Sequence, residues 1–226
     1  MRTVVELLGP PAVGKTSLAG ALSDGMSVVE EQLRALLLTP AAPPPGPDRQ
    51  TAVARLIAAQ VAAQPDGPVL LDLGWVSLIC FAHAQWQVNL AAAVSDAVAE
   101  QARGAGECRY AGLVVLGAEE AELRRRAETD ARTTGRARGQ LDRNLARMGR
   151  EDALLRLAQT ALPPGMILRP HSSDAPGRAA EVRAWLDGAG PAMAPAELLL
   201  RLSAAWTEAA QPDRQERKQD QEESAR

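Results

Sequence analysis

Lysine is almost absent from this chain of 226 residues: Lys15 and Lys218 stand against 23 arginines. Aromatic residues make up only 3%, so each tryptophan marks a place where a large surface is packed or presented. The two cysteines, Cys80 and Cys108, lack metal-ligand spacing and read as reduced thiols of a cytoplasmic protein. No run of 18 apolar residues occurs, so no membrane span is expected. The N-terminal apolar segment runs straight into a glycine loop, which argues against a signal peptide. A net charge of −3 argues against wholesale nucleic-acid binding. What is present in quantity is hydrophobic residues, at 46%, enough for the core of one α/β domain with an appendage.

The first lysine closes a recognisable pattern. Gly9-Pro10-Pro11-Ala12-Val13-Gly14-Lys15-Thr16-Ser17 follows the apolar run Thr3-Val4-Val5-Glu6-Leu7-Leu8 and opens the helix-compatible stretch 17–22. This is G-x-x-x-x-G-K-[ST] with a strand before it and a helix after it. Glycine lets the backbone curl round a phosphate without Cβ clashes, so successive N–H groups form an anion nest at the positive end of a helix. Gly9, Pro10, Pro11, Ala12, Val13, Gly14, Lys15, Thr16 and Ser17 are therefore the expected nucleotide contacts. Lys15 is expected to bridge the β- and γ-phosphates and the Thr16 hydroxyl to ligate Mg²⁺, which makes ATP and Mg²⁺ the expected cofactors.

Beyond the loop, apolar strands alternate with amphipathic helices. Met26-Ser27-Val28-Val29 reads as a short buried strand ending on Glu30-Glu31, and residues 32–38 read as helix. The proline-rich run 40–47 predicts a stiff extended connection. Val53, Leu56, Ile57 and Val61 give residues 51–64 one apolar helical face. Val69-Leu70-Leu71-Asp72-Leu73 and residues 110–116 read as strands of a parallel sheet, apolar on both faces. One long helix is predicted over 76–102 and others over 118–127, 141–161, 175–186 and 195–210, with a short strand at 166–168. Five strands alternating with helices predict a parallel sheet covered on both faces. The expected division is a domain over 1–188, a helical appendage over 189–210 and a disordered tail over 211–226.

Ligands of such sheets sit at the carboxyl ends of the strands. Asp72 ends a buried strand there and is the expected partner of Thr16 at Mg²⁺, or else a base. Glu31, ending the strand before it, is the competing base. Each has a plainer role open to it: Asp72 as a turn cap, Glu31 as a first-turn acid. From Arg124 to Arg150 nine arginines meet three acids, while Thr133-Thr134-Gly135 and Gly139 weaken the helix between them. A mobile cationic flap accounts for both features, with Arg132, Arg136 and Arg138 its expected phosphate contacts. Trp75, Phe81, His83 and Trp86 follow Asp72 and offer either a stacking surface or core packing, His83 reading as structural.

These motifs together resemble the P-loop kinases of nucleosides and nucleotides, notably the thymidylate kinase and deoxynucleoside kinase branch, over residues 1–188. The phosphate loop matches throughout. Val28-Val29-Glu30-Glu31-Gln32-Leu33-Arg34 resembles the family's strand-ending Glu, which implies Glu31 beside the substrate hydroxyl. The segment from Leu70 to Phe81 resembles the family's Asp-Arg segment, with Leu73 standing where the family has arginine. Leu123-Arg124-Arg125-Arg126 with Arg132, Arg136 and Arg138 resembles the lid. Residues 167–186 resemble the last strand, adenine-side loop and terminal helix. The resemblance implies a three-layer α/β P-loop NTPase fold with a five-stranded parallel sheet and an arginine-rich lid, extended here by a C-terminal helix. It implies ATP-dependent transfer of the γ-phosphate to a nucleoside or nucleotide-like small molecule. An antibiotic hydroxyl, a polynucleotide end, or a regulatory NTP-binding role stays open at this point.

Overall fold

The computed structural model describes residues 1–10, 13–30, 43–129, 138–188, 190 and 192–210. Pro11, Ala12, Glu31, the expected helix at 32–38, Arg132, Arg136 and the tail 211–226 lie outside the described residues, as does the side chain of Arg138. The strands are β1 (Arg2–Leu8), β2 (Ser27–Val29), β3 (Gly67–Asp72), β4 (Cys108–Val115) and β5 (Ile167–Leu168). They form one parallel sheet in the order β2-β3-β1-β4-β5.

Alternation along β1 explains its central place. Val5 and Leu7 point to one face and Val4 and Leu8 to the other, and all four are buried. On the Val5 side lie α1 (Lys15–Leu22), α5 (Glu120–Thr129) and α7 (Ala175–Asp187), through Leu18, Leu123 and Val182. On the Val4 side lie α2 (Pro47–Ala62), α3 (Trp75–Gln85), α4 (Val88–Arg103), the C-terminal half of α6 (Arg138–Ala161), and α8 (Pro195–Ala209). Among the described residues no helix is long and apolar enough to cross a membrane.

Three elements differ from the sequence expectation. Helix α6 begins at Arg138 rather than 141, so Gly139, expected to weaken the helix, lies inside it. Helix α2 begins at Pro47, earlier than residue 51, because proline suits the first helical position and Asp48 complements the helix dipole there. The single helix expected over 76–102 is two helices. Trp86 and Gln87 are extended between them (φ −112°, ψ 168° and φ −62°, ψ 144°), although neither glycine nor proline marks the break. Packing decides it: Trp86 turns back edge-on to Phe81, with ring centroids 5.8 Å apart, and α4 leaves in a new direction to meet α2 and α8.

Helix α8 is seated in the same core as the sheet. Trp206 is 1% exposed and its indole N–H donates to the Leu154 carbonyl of α6 at 2.8 Å. Just before α8, Met193 and Tyr110 of β4 exchange backbone hydrogen bonds. His83 of α3 also belongs here, with its ring edge-on to Trp206 and Nε2 3.2 Å from both Ser95 Oγ and Ser203 Oγ. The Ser95 hydroxyl already donates to the Ala91 carbonyl, so its oxygen is left to accept from the ring. Burial pushes the His83 pKa down to about 4.

Two outcomes follow from this layer. Trp206→Ala should lower the unfolding free energy by about 3–5 kcal/mol in urea titrations. A loss below about 1 kcal/mol would mean that α8 adds little to the core. For His83, the unfolded ring takes up a proton near pH ~6.5 while the folded ring resists it down to about 4. The unfolded state therefore binds more protons in that window, and stability drops as pH falls through it. His83→Gln should flatten this slope between pH ~6.5 and ~5; equal slopes in the two proteins would contradict the assignment.

Candidate active site

The loop after β1 is shaped by what lies beside it. Gly9 has φ 138°, and a Cβ there would come within 2.4 Å of the Leu116 carbonyl oxygen, so no other residue fits. Leu116 N–H in turn donates to Leu8 O at 2.8 Å, which fastens the loop entrance to the end of β4. Val13 anchors the far side by burying its side chain in the α1 layer. Gly14 is left-handed and precedes α1, which starts at Lys15 and carries no acid of its own in its first turn. Lys15 Nζ donates to the carbonyls of Gly9 (2.8 Å) and Pro10 (2.9 Å) and so spans the loop. Thr16 and Ser17 are exposed on the first turn.

Asp72 is the last residue of β3 and sits opposite Leu7 of β1, two residues before the loop. Thr16 Oγ1 donates to its Oδ2 at 3.3 Å. These two oxygens suit Mg²⁺, which takes few protein ligands and completes its shell with water and phosphate oxygens. Among the described residues no cluster of three or more His, Cys, Asp or Glu side chains forms, and such an ion needs none. Leu73 follows with φ 73°, the sole non-glycine residue of positive φ among the described residues. Its side chain packs against the core, so the position that carries arginine in the resembling kinases is turned inward here.

Two arginines meet at the crest of the loop. Arg178, in the first turn of α7, donates from Nη1 to Val13 O (3.0 Å) and from Nε to Ser172 O (2.8 Å). Arg126 of α5 reaches the same Val13 carbonyl at 3.4 Å. The Glu181 carboxylate accepts the N–H groups of His171 and Ser172, both at 2.8 Å, and steadies the neighbouring loop. Arg178 escapes the sequence reading, although a basic residue in the first turn, where the dipole disfavours it, is the available signal. The expected flap contacts Arg132 and Arg136 lie outside the described residues; Arg138 opens α6.

On the other side of Lys15 stands α6. Glu151 is half-buried, its pKa raised by desolvation and drawn back by Arg147 and then Lys15. Arg147 Nε is 2.9 Å from Glu151 Oε1, and its guanidinium carbon is 5.4 Å from the centre of the Phe81 ring. Arg150 Nε donates to the Ala84 carbonyl at 2.7 Å. Of the aromatic group, Trp75 is core: it is fully buried, with its N–H on the Ala54 carbonyl at 3.0 Å. Phe81 and Trp86 form a half-buried pair next to Arg147. Neither Glu151 nor Arg147 stands out from the charged pattern of its helix in the sequence.

No family model matches the chain, and no curated protein matches it. Solved structures do. A deoxyadenosine kinase from M. mycoides superposes with a TM-score of 0.54 at 8% identity, over 82% of this chain and 98% of that one. A gluconokinase from Sinorhizobium meliloti 1021 gives 0.48 at 16% identity, over 82% and 92%. A sugar kinase from Janibacter sp. HTCC2649 gives 0.46 at 16%, over 83% and 95%. With five parallel strands between two helical layers, and the likeness to the deoxyadenosine kinase, the chain has the α/β fold of the P-loop kinases.

Proposed function

We propose that the protein is an ATP- and Mg²⁺-dependent kinase that transfers the γ-phosphate of ATP to a hydroxyl of a small molecule, a nucleoside or nucleotide-like compound. The observation that carries this reading is the convergence of Lys15, the α1 N-terminus, Thr16 and Asp72 on one loop. Phosphoryl transfer asks little covalent help of a protein; it asks for positioning and for positive charge where the transition state is negative. A triphosphate offers the Lys15 ammonium charged acceptors stronger than the two carbonyls it now spans. Thr16 and Asp72 would hold Mg²⁺, which neutralises phosphate charge when bound. The acceptor oxygen bonds to the γ-phosphorus as the bond to the bridging oxygen of ADP breaks, and its proton passes to a carboxylate or to phosphate.

The acceptor belongs on the α3–α6 side. There the perpendicular, half-buried rings of Phe81 and Trp86 offer an apolar corner, and the Arg147–Glu151 pair beside it offers hydrogen-bonding groups. Glu151 lies within the field of Lys15 and is the described carboxylate on that side able to take the acceptor proton. Asp72 is engaged with Thr16, which fits a metal role better than that of base. Two buried free thiols, Cys80 and Cys108, suit a cytoplasmic setting, where ATP is also supplied.

Turnover of ATP should need an added acceptor, measured with a panel of nucleosides, nucleotides, sugars and antibiotics. Lys15→Ala should reduce transfer by roughly 10²–10³-fold or more while leaving the melting temperature within a few degrees. Transfer at the wild-type rate in that variant, with any acceptor, would sink the reading. Asp72→Asn should weaken nucleotide binding in the presence of Mg²⁺ and leave it unchanged in chelator. Equal weakening under both conditions would remove Asp72 from the metal.

A further inference from the structure

A carboxylate inside the sheet stands apart from everything described so far. Glu6 occupies the centre of β1 on the same face as Val4 and Leu8, and it is fully buried in the α2–α3–α4 layer. A carboxylate there is tolerable only if its oxygens are fully hydrogen-bonded. They are. Oε1 accepts from Gly74 N–H (3.0 Å), Ser77 N–H (2.7 Å) and the Ser77 hydroxyl (2.7 Å). Oε2 accepts from Val76 N–H (3.0 Å) and the Tyr110 hydroxyl (2.6 Å).

The backbone donors are not arbitrary ones. They are N–H groups at the start of α3, which have no partner within the helix. The local N-cap, Gly74, makes no side-chain bond, so a residue of another strand caps this helix from 68 positions away in sequence. The fit is close enough to set the sequence of the turn. A Cβ on Gly74 would come within 2.6 Å of Glu6 Oε2 and 2.7 Å of Leu71 Cδ1.

Only Leu73 separates this clamped segment from Asp72, and Leu73 is held in the left-handed region that a leucine avoids. Core packing holds its side chain, and the clamp on Gly74 fixes the backbone that follows it. A relaxed Leu73 redirects the chain at its junction with Asp72 and moves the carboxylate relative to Thr16. We propose that Glu6 is a positioning residue for the Mg²⁺–nucleotide site: by capping α3 it locks the 72–74 turn and aims Asp72 at Thr16. This rests on the kinase reading above.

The test is binding of a non-hydrolysable ATP analogue to the full chain, titrated with Mg²⁺ and repeated in chelator. In Glu6→Gln the Mg²⁺ concentration for half-maximal binding should rise by roughly 10–100-fold, the range seen when groups that orient metal ligands are removed. Affinity in chelator should stay within about twofold, since Lys15 and the loop are untouched. Ser77→Ala, which removes one donor and keeps the backbone bonds, should shift the Mg²⁺ midpoint the same way by less. Tyr110→Phe should do likewise from the other oxygen, and these two decide the matter if Glu6→Gln does not fold. Folded variants that lose thermal stability but keep the wild-type Mg²⁺ midpoint would overturn the proposal, leaving Glu6 a stabilising residue only. Wild-type protein that binds the analogue equally well with and without Mg²⁺ would overturn the kinase reading and this proposal together.

Discussion

A single buried carboxylate holds three separate pieces of chain in register. Glu6 stands on the central strand, grips the first turn of α3, closes the turn after β3 and receives the hydroxyl of Tyr110 from β4. Its burial costs hydration, and its five donors replace that hydration, so the net gain is more in geometry than in stability. The geometry matters because β1 and β3 end side by side and each carries half of the candidate site. The phosphate loop leaves β1, Asp72 closes β3, and one side chain rooted in the first strand fixes the exit of the other.

Charge is divided in the same economical way. The lone lysine of the described residues, a compact ammonium on a flexible stem, spans the loop carbonyls where phosphates are expected. The planar guanidinium groups of Arg126 and Arg178 converge instead on the Val13 carbonyl. Arg178 is buried while it does so, which makes it a brace between α7 and the loop. Arginine suits that task, since its fixed fork holds Val13 and Ser172 at once.

The parts of this arrangement legible in the sequence are those governed by short-range rules. The phosphate loop is a local pattern, and the apolar runs around Val5, Leu70 and Leu113 announce buried parallel strands by composition alone. Parallel order and Asp72 at a strand end follow from those. What stays hidden depends on distant partners. Glu6 looks like a polar interruption in an apolar strand until α3 and Tyr110 arrive to satisfy it. The break at Trp86 carries no glycine or proline because it is made by ring packing on Phe81. Glu151 and Arg147 read as ordinary charges on a polar helix, and only the approach of α6 to Lys15 gives them a place at the site. Helix α8 reads as an appendage because its amphipathic pattern does not name its partner, yet Trp206 closes the core.

The central position of β1 has a consequence for how the chain is made. Its two neighbours, β3 and β4, begin at residues 67 and 108, so β1 pairs on one side only once β3 is made and on the other only once β4 is made. The carboxylate of Glu6 waits longest of all its donors for Tyr110, and Tyr110 exchanges backbone bonds with Met193 near the end of the described chain. A core assembled from contacts so distant in sequence forms late and slowly, because each requires a large loop to close first. Until residue 72 has been added, β1 is therefore an unpaired apolar strand carrying a phosphate loop. An apolar strand left unpaired in this way is prone to aggregation until the sheet closes.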